Sequence, residues 1–172
     1  MNHITICYFK TPYGELILGA YEGKLCLCDW RYRKMRDRID KRICRYLNAV
    51  FSEGTADVLE LTIKQLNEYF QHQRQEFTIA LLLLGTDFQK QVWQALIELP
   101  FSRTCSYLEL AKSMGNEKAV RAVANANGAN AISIIIPCHR IIGSNGSLTG
   151  FAGGLDTKRW LLKHEGISFK EG

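Results

Sequence analysis

The 172-residue sequence predicts an α+β fold in two parts, a small N-terminal sheet-and-helix domain over residues 1–84 and a mostly helical C-terminal domain over 85–172. Three observations carry this. The first thirty residues alternate in the β manner, and from Met35 apolar residues recur every three or four positions. Beyond Gly85, two helix-start signatures stand close together.

Ile4, Ile6 and Tyr8, then Leu16 and Leu18, then Leu25, Leu27 and Asp29 form three alternating runs, separated by Tyr13-Gly14 and Glu22-Gly23. Such runs and turns predict a small antiparallel sheet. Met35, Ile39, Ile43, Leu47 and Val50 then form the stripe of an amphipathic helix, with Arg36, Arg38, Lys41, Arg42 and Arg45 largely off it as a solvated basic face. Leu59, Ile63, Leu66 and Phe70 suggest a second helix, and Phe77–Leu84 a strand closing the sheet.

Thr86-Asp87-Phe88-Gln89 is a capping box, and Val92, Trp93, Leu96 and Leu99 give the helix behind it a buried face that ends at Pro100. Ser106–Glu109 is a second box, opening a short helix through Met114. Gly115 stops that helix, and Asn116 is placed to cap another from Glu117 to Asn127. Two short helices joined by a glycine-containing turn have the layout of a helix-turn-helix. The second is built from small residues, with Arg121 and Lys118 its strong cations. A last helix carries Trp160, Leu161 and Leu162 and ends at His164-Glu165 before Gly166.

Between these helices Ile132–Ile136 reads as a short core strand ending at Pro137, which cannot extend a ladder. Cys138, His139 and Arg140 follow at once. A thiol is a strong nucleophile once ionised, and neighbouring cations or a base favour that state. On residue types alone a buried structural cysteine serves equally well. Ile141-Ile142 and Ser147-Leu148 flank a turn at 143–146, and Gly150–Gly154 form a loop whose missing side chains leave room for a flat ligand.

A net charge of +5 permits an anionic partner without demanding one. No stretch approaches the ~18 apolar residues of a membrane span, and the N-terminus lacks a signal layout, so a cytoplasmic protein is expected. The six cysteines include no C-x-x-C pair. Cys26 and Cys28 with Cys7 and His3 hold the donors of a zinc site, but strand packing accounts for the pair. Two other functions fit parts of the pattern. A cysteine hydrolase would use Cys138 and His139, although sequence neighbours rarely reach the geometry of a direct thiol–imidazole pair. A helix-turn-helix regulator would read base edges with polar residues, where this helix offers mostly alanine and valine.

Gly85-Thr86-x-Phe88-Gln89, Val92-Trp93, Ser106-Tyr107-x-x-Leu110-Ala111, Arg121-Ala122-Val123, Asn130, Ile136–Arg140, Gly153-Gly154 and Leu161-Leu162-x-x-Glu165-Gly166 resemble the O6-alkylguanine-DNA alkyltransferases, over about half the chain. The resemblance implies a ribonuclease H-like N-terminal domain. It also implies a single, irreversible transfer of an alkyl group from O6-alkylguanine in duplex DNA, with O4-alkylthymine as a second lesion. By matched position Cys138 is the acceptor, His139 its base through a bridging water, and Glu165 the group that orients His139. Tyr107 gives a proton to the departing guanine and Asn130 braces the turn. Arg121 fills the space of the flipped nucleotide, and Asn116, Ala119, Ala124 and Ser144 join it in holding the minor groove. Tyr107, Ile141, Phe151, Ala152 and Gly153 line the alkylguanine pocket. The family needs no cofactor and no metal, and implies a monomer acting on DNA and not at a membrane. Three positions depart from its pattern: Ala131 where proline is usual, Phe151 where tyrosine is usual, and Ser102 where glycine is common.

Overall fold

A computed structural model describes residues 1–148, 151 and 153–170. The chain forms two compact units, Met1–Leu84 and Gly85–Gly172, and the mixed α+β class is as expected.

In the first unit, β1 (Asn2–Thr11), β2 (Gly14–Tyr21) and β3 (Lys24–Trp30) form an antiparallel meander. Helix α1 (Arg36–Leu47) then returns the chain to β4 (Ala49–Glu53), which pairs parallel to β1 and completes the order β3-β2-β1-β4. Helix α2 (Asp57–Phe70) follows. Ile4, Leu16, Leu18, Leu25, Leu27, Ile43, Leu59 and Leu66 are fully buried and form the core.

Two expectations fail here for a shared reason. The α1 stripe does not run through Val50, because Asn48 adopts the left-handed conformation (φ 47°) and ends the helix, so Val50 falls in β4. The strand that closes the sheet is therefore β4, not Phe77–Leu84. The latter segment touches β3 at one bridge, Leu25 with Leu81, through Leu25 N–H to Ala80 O and Leu82 N–H to Leu25 O, both 2.9 Å. Part of its backbone is taken by a side chain instead: Gln65 Oε1 accepts from Thr78 N–H (2.9 Å), and Gln65 Nε2 donates to Thr78 Oγ1 (2.7 Å). Cys26 and Cys28 are buried in β3, and among the described residues no group of three His, Cys, Asp or Glu is placed to hold a metal ion.

The second unit runs α3 (Asp87–Ile97), β5 (Cys105–Ser106), α4 (Tyr107–Ser113), a 3-10 turn (Glu117–Ala119), α5 (Val120–Gly128), a second 3-10 turn (Cys138–Arg140), β6 (Ile141–Ile142) and α6 (Leu155–His164). Both capping boxes form. Thr86 Oγ1 accepts from Gln89 N–H (3.1 Å) while Gln89 Oε1 accepts from Thr86 N–H (3.0 Å), and Ser106 and Glu109 do the same at 3.0 and 3.1 Å. Asn116 makes no capping bond, so the chain enters α5 through the 3-10 turn and not as one helix from Glu117. Trp93 Nε1 donates to Ala126 O (2.9 Å), tying α3 to α5.

Ile132–Ile136 is not a strand. Its backbone folds on itself, with Ile136 N–H bonded to Ile132 O (3.0 Å), Ile135 N–H to Ser133 O (2.8 Å) and Ile134 at φ 71°. The apolar run reports burial, which is real, since residues 131–142 are all buried. Its conformation is set by one polar side chain just upstream. Among the described residues no helix is long and apolar enough to cross a membrane.

Candidate active site

That side chain is Asn130, which is 1% exposed. Its Oδ1 accepts from Ile132 N–H (2.9 Å), and its Nδ2 donates to Ile136 O (2.9 Å) and Ile132 O (3.3 Å). A buried backbone group without a partner costs about 1–3 kcal/mol, so an amide that serves three of them fixes the turn. Pro137 then breaks the path, and Cys138 N–H closes back on Ile136 O (2.8 Å). Cys138 opens the following 3-10 turn, buried at 2% exposure.

His139 and Glu165 are both buried, and His139 Nε2 lies 2.7 Å from Glu165 Oε2. A carboxylate can only accept, so Nε2 carries the proton and Nδ1 keeps a lone pair. Nδ1 is itself buried and, among the described residues, has no hydrogen-bond partner. Burial pushes the His139 pKa down, outweighing the pull of the Glu165 carboxylate, with the Arg140 charge adding to the fall. The imidazole is therefore neutral at neutral pH and able to take a proton.

Burial alone would raise the Glu165 pKa, but the hydrogen bonds and charges of His139 and Arg140 prevail and hold it well below the usual carboxylate range. Arg140 grips it with Nε to Oε1 (2.8 Å) and Nη2 to Oε2 (3.1 Å), and donates Nη1 to Leu99 O (2.7 Å). Ser102 N–H gives a further bond to Glu165 Oε1 (3.1 Å). Ser102 sits at φ 67°, which explains a glycine preference at this place.

β5 pairs parallel with β6, Ser106 opposite Ile142, so the start of α4, where Tyr107 sits half-buried, runs beside the segment leaving the Cys138 turn. Ile141 is fully buried, while Phe151 and Gly153 are half-buried in the loop before α6. Ala152 lies outside the described residues. On the other flank Arg121 and Asn116 are exposed, Ala119 and Ala124 half-buried, and Ser144 exposed on the turn after β6.

Sequence reasoning missed Lys158. It is fully buried in α6 and donates its ammonium to Ile141 O. Burial lowers its pKa to about 8, opposed by the nearby charge of an ionised Cys138. A signal existed: Lys158 stands three and four residues before the buried Leu161 and Leu162, on the inward face of the helix.

Two family models match the chain, the 6-O-methylguanine DNA methyltransferase ribonuclease-like domain over residues 4–83 and its DNA binding domain over 87–167. A methylated-DNA--protein-cysteine methyltransferase of Methanosarcina acetivorans is 54% identical over 158 residues, covering 92% of this chain and 96% of the relative. The chain belongs to the 6-O-methylguanine DNA methyltransferase family. A constitutive methylated-DNA--protein-cysteine methyltransferase of Bacillus subtilis is 38% identical over 172 residues, 99% of each chain. Among solved structures, Mycobacterium tuberculosis OGT in complex with DNA aligns at a TM-score of 0.79 and 37% identity, covering 95% of this chain and 92% of that one.

Proposed function

We propose that this methyltransferase family member repairs O6-alkylguanine in duplex DNA by moving the alkyl group, once and irreversibly, to Sγ of Cys138. The observation that carries the reading is a buried thiol beside a neutral imidazole whose free nitrogen is poised to accept and whose other nitrogen is held by a charged carboxylate. Names of relatives such as methylated-DNA--protein-cysteine methyltransferase give the substrate class.

The proton on Cys138 passes to His139 Nδ1 through a bridging water. The thiolate attacks the alkyl carbon in line with O6, so a carbon–sulfur bond forms as the carbon–oxygen bond breaks. Guanine leaves poorly as an anion, and Tyr107 gives it a proton that solvent later restores. Glu165 stabilises the imidazolium that results, and Asn130 holds the turn that aims the sulfur. Positioning supplies much of the rate, because in-line attack tolerates little misalignment.

A cysteine seated this deeply reaches a base only after the base leaves the stack, at a cost of a few kcal/mol. Arg121, exposed on α5 among small residues that allow close approach, occupies the vacated space from the minor groove, with Asn116, Ala119, Ala124 and Ser144 against the backbone. Ile141, Phe151 and Gly153 wall the pocket with Tyr107, and the same chemistry extends to O4-alkylthymine.

Intact mass after incubation with an O6-methylguanine duplex tests this. The expected result is one added methyl per protein, mapped to Cys138 and absent in Cys138→Ala. Restored guanine with unmodified Cys138 would overturn the assignment.

A further inference from the structure

Electrostatics outside the candidate site divide the chain unevenly. Residues 29–47 hold eight arginines and lysines and three aspartates, an excess equal to the net +5 of the whole chain. All other residues together are neutral. Arg31 pairs with Glu15 at 2.6 Å and Arg42 is half-buried, and the remaining charges of the segment sort into two sets. Asp29 is fully buried and takes Arg33 and Arg36 at 2.8 and 2.9 Å, and Arg36 also meets Asp40 at 2.8 Å. Those cations are spent internally. Lys34, Arg38 and Arg45 are exposed and, among the described residues, have no carboxylate partner. Lys41 is exposed too and meets only the equally exposed Asp37, a kind of pair that water and salt weaken easily.

Arg38, Lys41 and Arg45 follow the spacing i, i+3, i+7, which places them on one face of α1 away from the buried Ile39 and Ile43, and Lys34 lies in the turn just before the helix. From Arg38 to Arg45 the row spans about 10 Å at ~1.5 Å per residue. That length runs beside about three phosphates of one strand, spaced at ~3.4 Å of helix axis each. A row of exposed cations, two of its three helical members without a carboxylate partner among the described residues, in a chain whose family carries a DNA binding domain elsewhere, is complementary to a polyanion of regular pitch.

We propose that this face of α1 is a second DNA-binding surface, which holds the phosphate backbone of duplex DNA without reading sequence. The choice of DNA as partner rests on the repair reading above. The surface adds affinity for undamaged duplex and therefore supports the search for lesions.

The test is binding of the full-length protein to an undamaged duplex across a salt series, followed by fluorescence anisotropy. The variant Lys34→Gln/Arg38→Gln/Arg45→Gln should flatten the slope of log Kobs against log[salt] by about 2 to 3, at ~0.9 for each phosphate no longer neutralised. It should also weaken binding at low salt by on the order of tenfold or more. The charge-keeping variant Arg38→Lys/Arg45→Lys should retain the wild-type slope. If thermal melting shows the triple variant to be unfolded, the single variants Arg38→Gln and Arg45→Gln decide, each flattening the slope by about 0.9. An unchanged slope in folded variants overturns the proposal and leaves the face merely solvated, or free for another anion. Wild-type alkyl transfer, read by mass, is scored separately. Transfer with an unchanged slope defeats only the α1 surface, whereas a flattened slope without transfer defeats the repair reading.

Discussion

Asn130 shows how much of a site one side chain can carry. Its amide serves the N–H and C=O of Ile132 and the C=O of Ile136, all inside the protein. Asn130→Ala should destabilise the second unit by about 3 kcal/mol, visible as a lower urea midpoint, because truncation strands these groups away from water. Ser102→Gly should act in the opposite direction, by about 0.5 kcal/mol, since glycine accepts φ 67° without a Cβ penalty. Lys158 gives a pH signature. Its folded pKa, near 8, lies below the ordinary lysine value, so the folded state releases this proton first and stability rises as pH climbs from about 8 towards 10. Denaturant titrations at several pH values should show that rise diminished in Lys158→Met. At this scale the sequence exposed Cys138 and His139, whose types announce chemistry, and pointed to Glu165 only through the family resemblance. It concealed Lys158, because a lysine in a charged helix reads as surface.

Helices were the more legible elements, and the reason is local. Capping boxes at Thr86 and Ser106 are complete within four residues, so nothing distant was needed to find them. Strand pairing depends on distant partners. β4 is five residues of mixed polarity made a strand by β1, while the more apolar Phe77–Leu84 meets the edge strand β3 at a single bridge. The Ile132–Ile136 run misled likewise, since apolar continuity marks burial and not conformation. Two substitutions probe how the helices act together. A Cβ at Gly85 would lie 2.4 Å from the Trp93 ring. Gly85→Ala must therefore displace the side chain that ties α3 to α5, and should cost about 1–3 kcal/mol in thermal or urea unfolding. Arg121→Ala should slow repair of duplex DNA far more than reaction with free O6-benzylguanine, because no stack has to be opened for the free base. Equal losses would remove Arg121 from the flipping step.

For the molecule as a whole, the two units are sustained by different means. The first rests on an apolar sheet core with one buried aspartate holding two arginines; the second places a charged constellation at its centre. Acid should therefore strike the second unit through Glu165. Its pKa is depressed on folding, so the stability it lends is fully present above the ordinary carboxylate value of ~4.3 and drains away as pH falls below that. Following near-ultraviolet dichroism and alkyl transfer together through this range should show both declining in step. Glu165 fastens the neighbour of Cys138, the chain at Ser102 and, through Arg140, the carbonyl of Leu99. Active residues in many proteins can be exchanged for sturdier ones at the expense of turnover. On the proposed mechanism no such bargain exists here: the carboxylate that would ready the sulfur also joins residues 99–102 and 139–140 to the end of its own helix, so loosening it should forfeit the frame along with the chemistry.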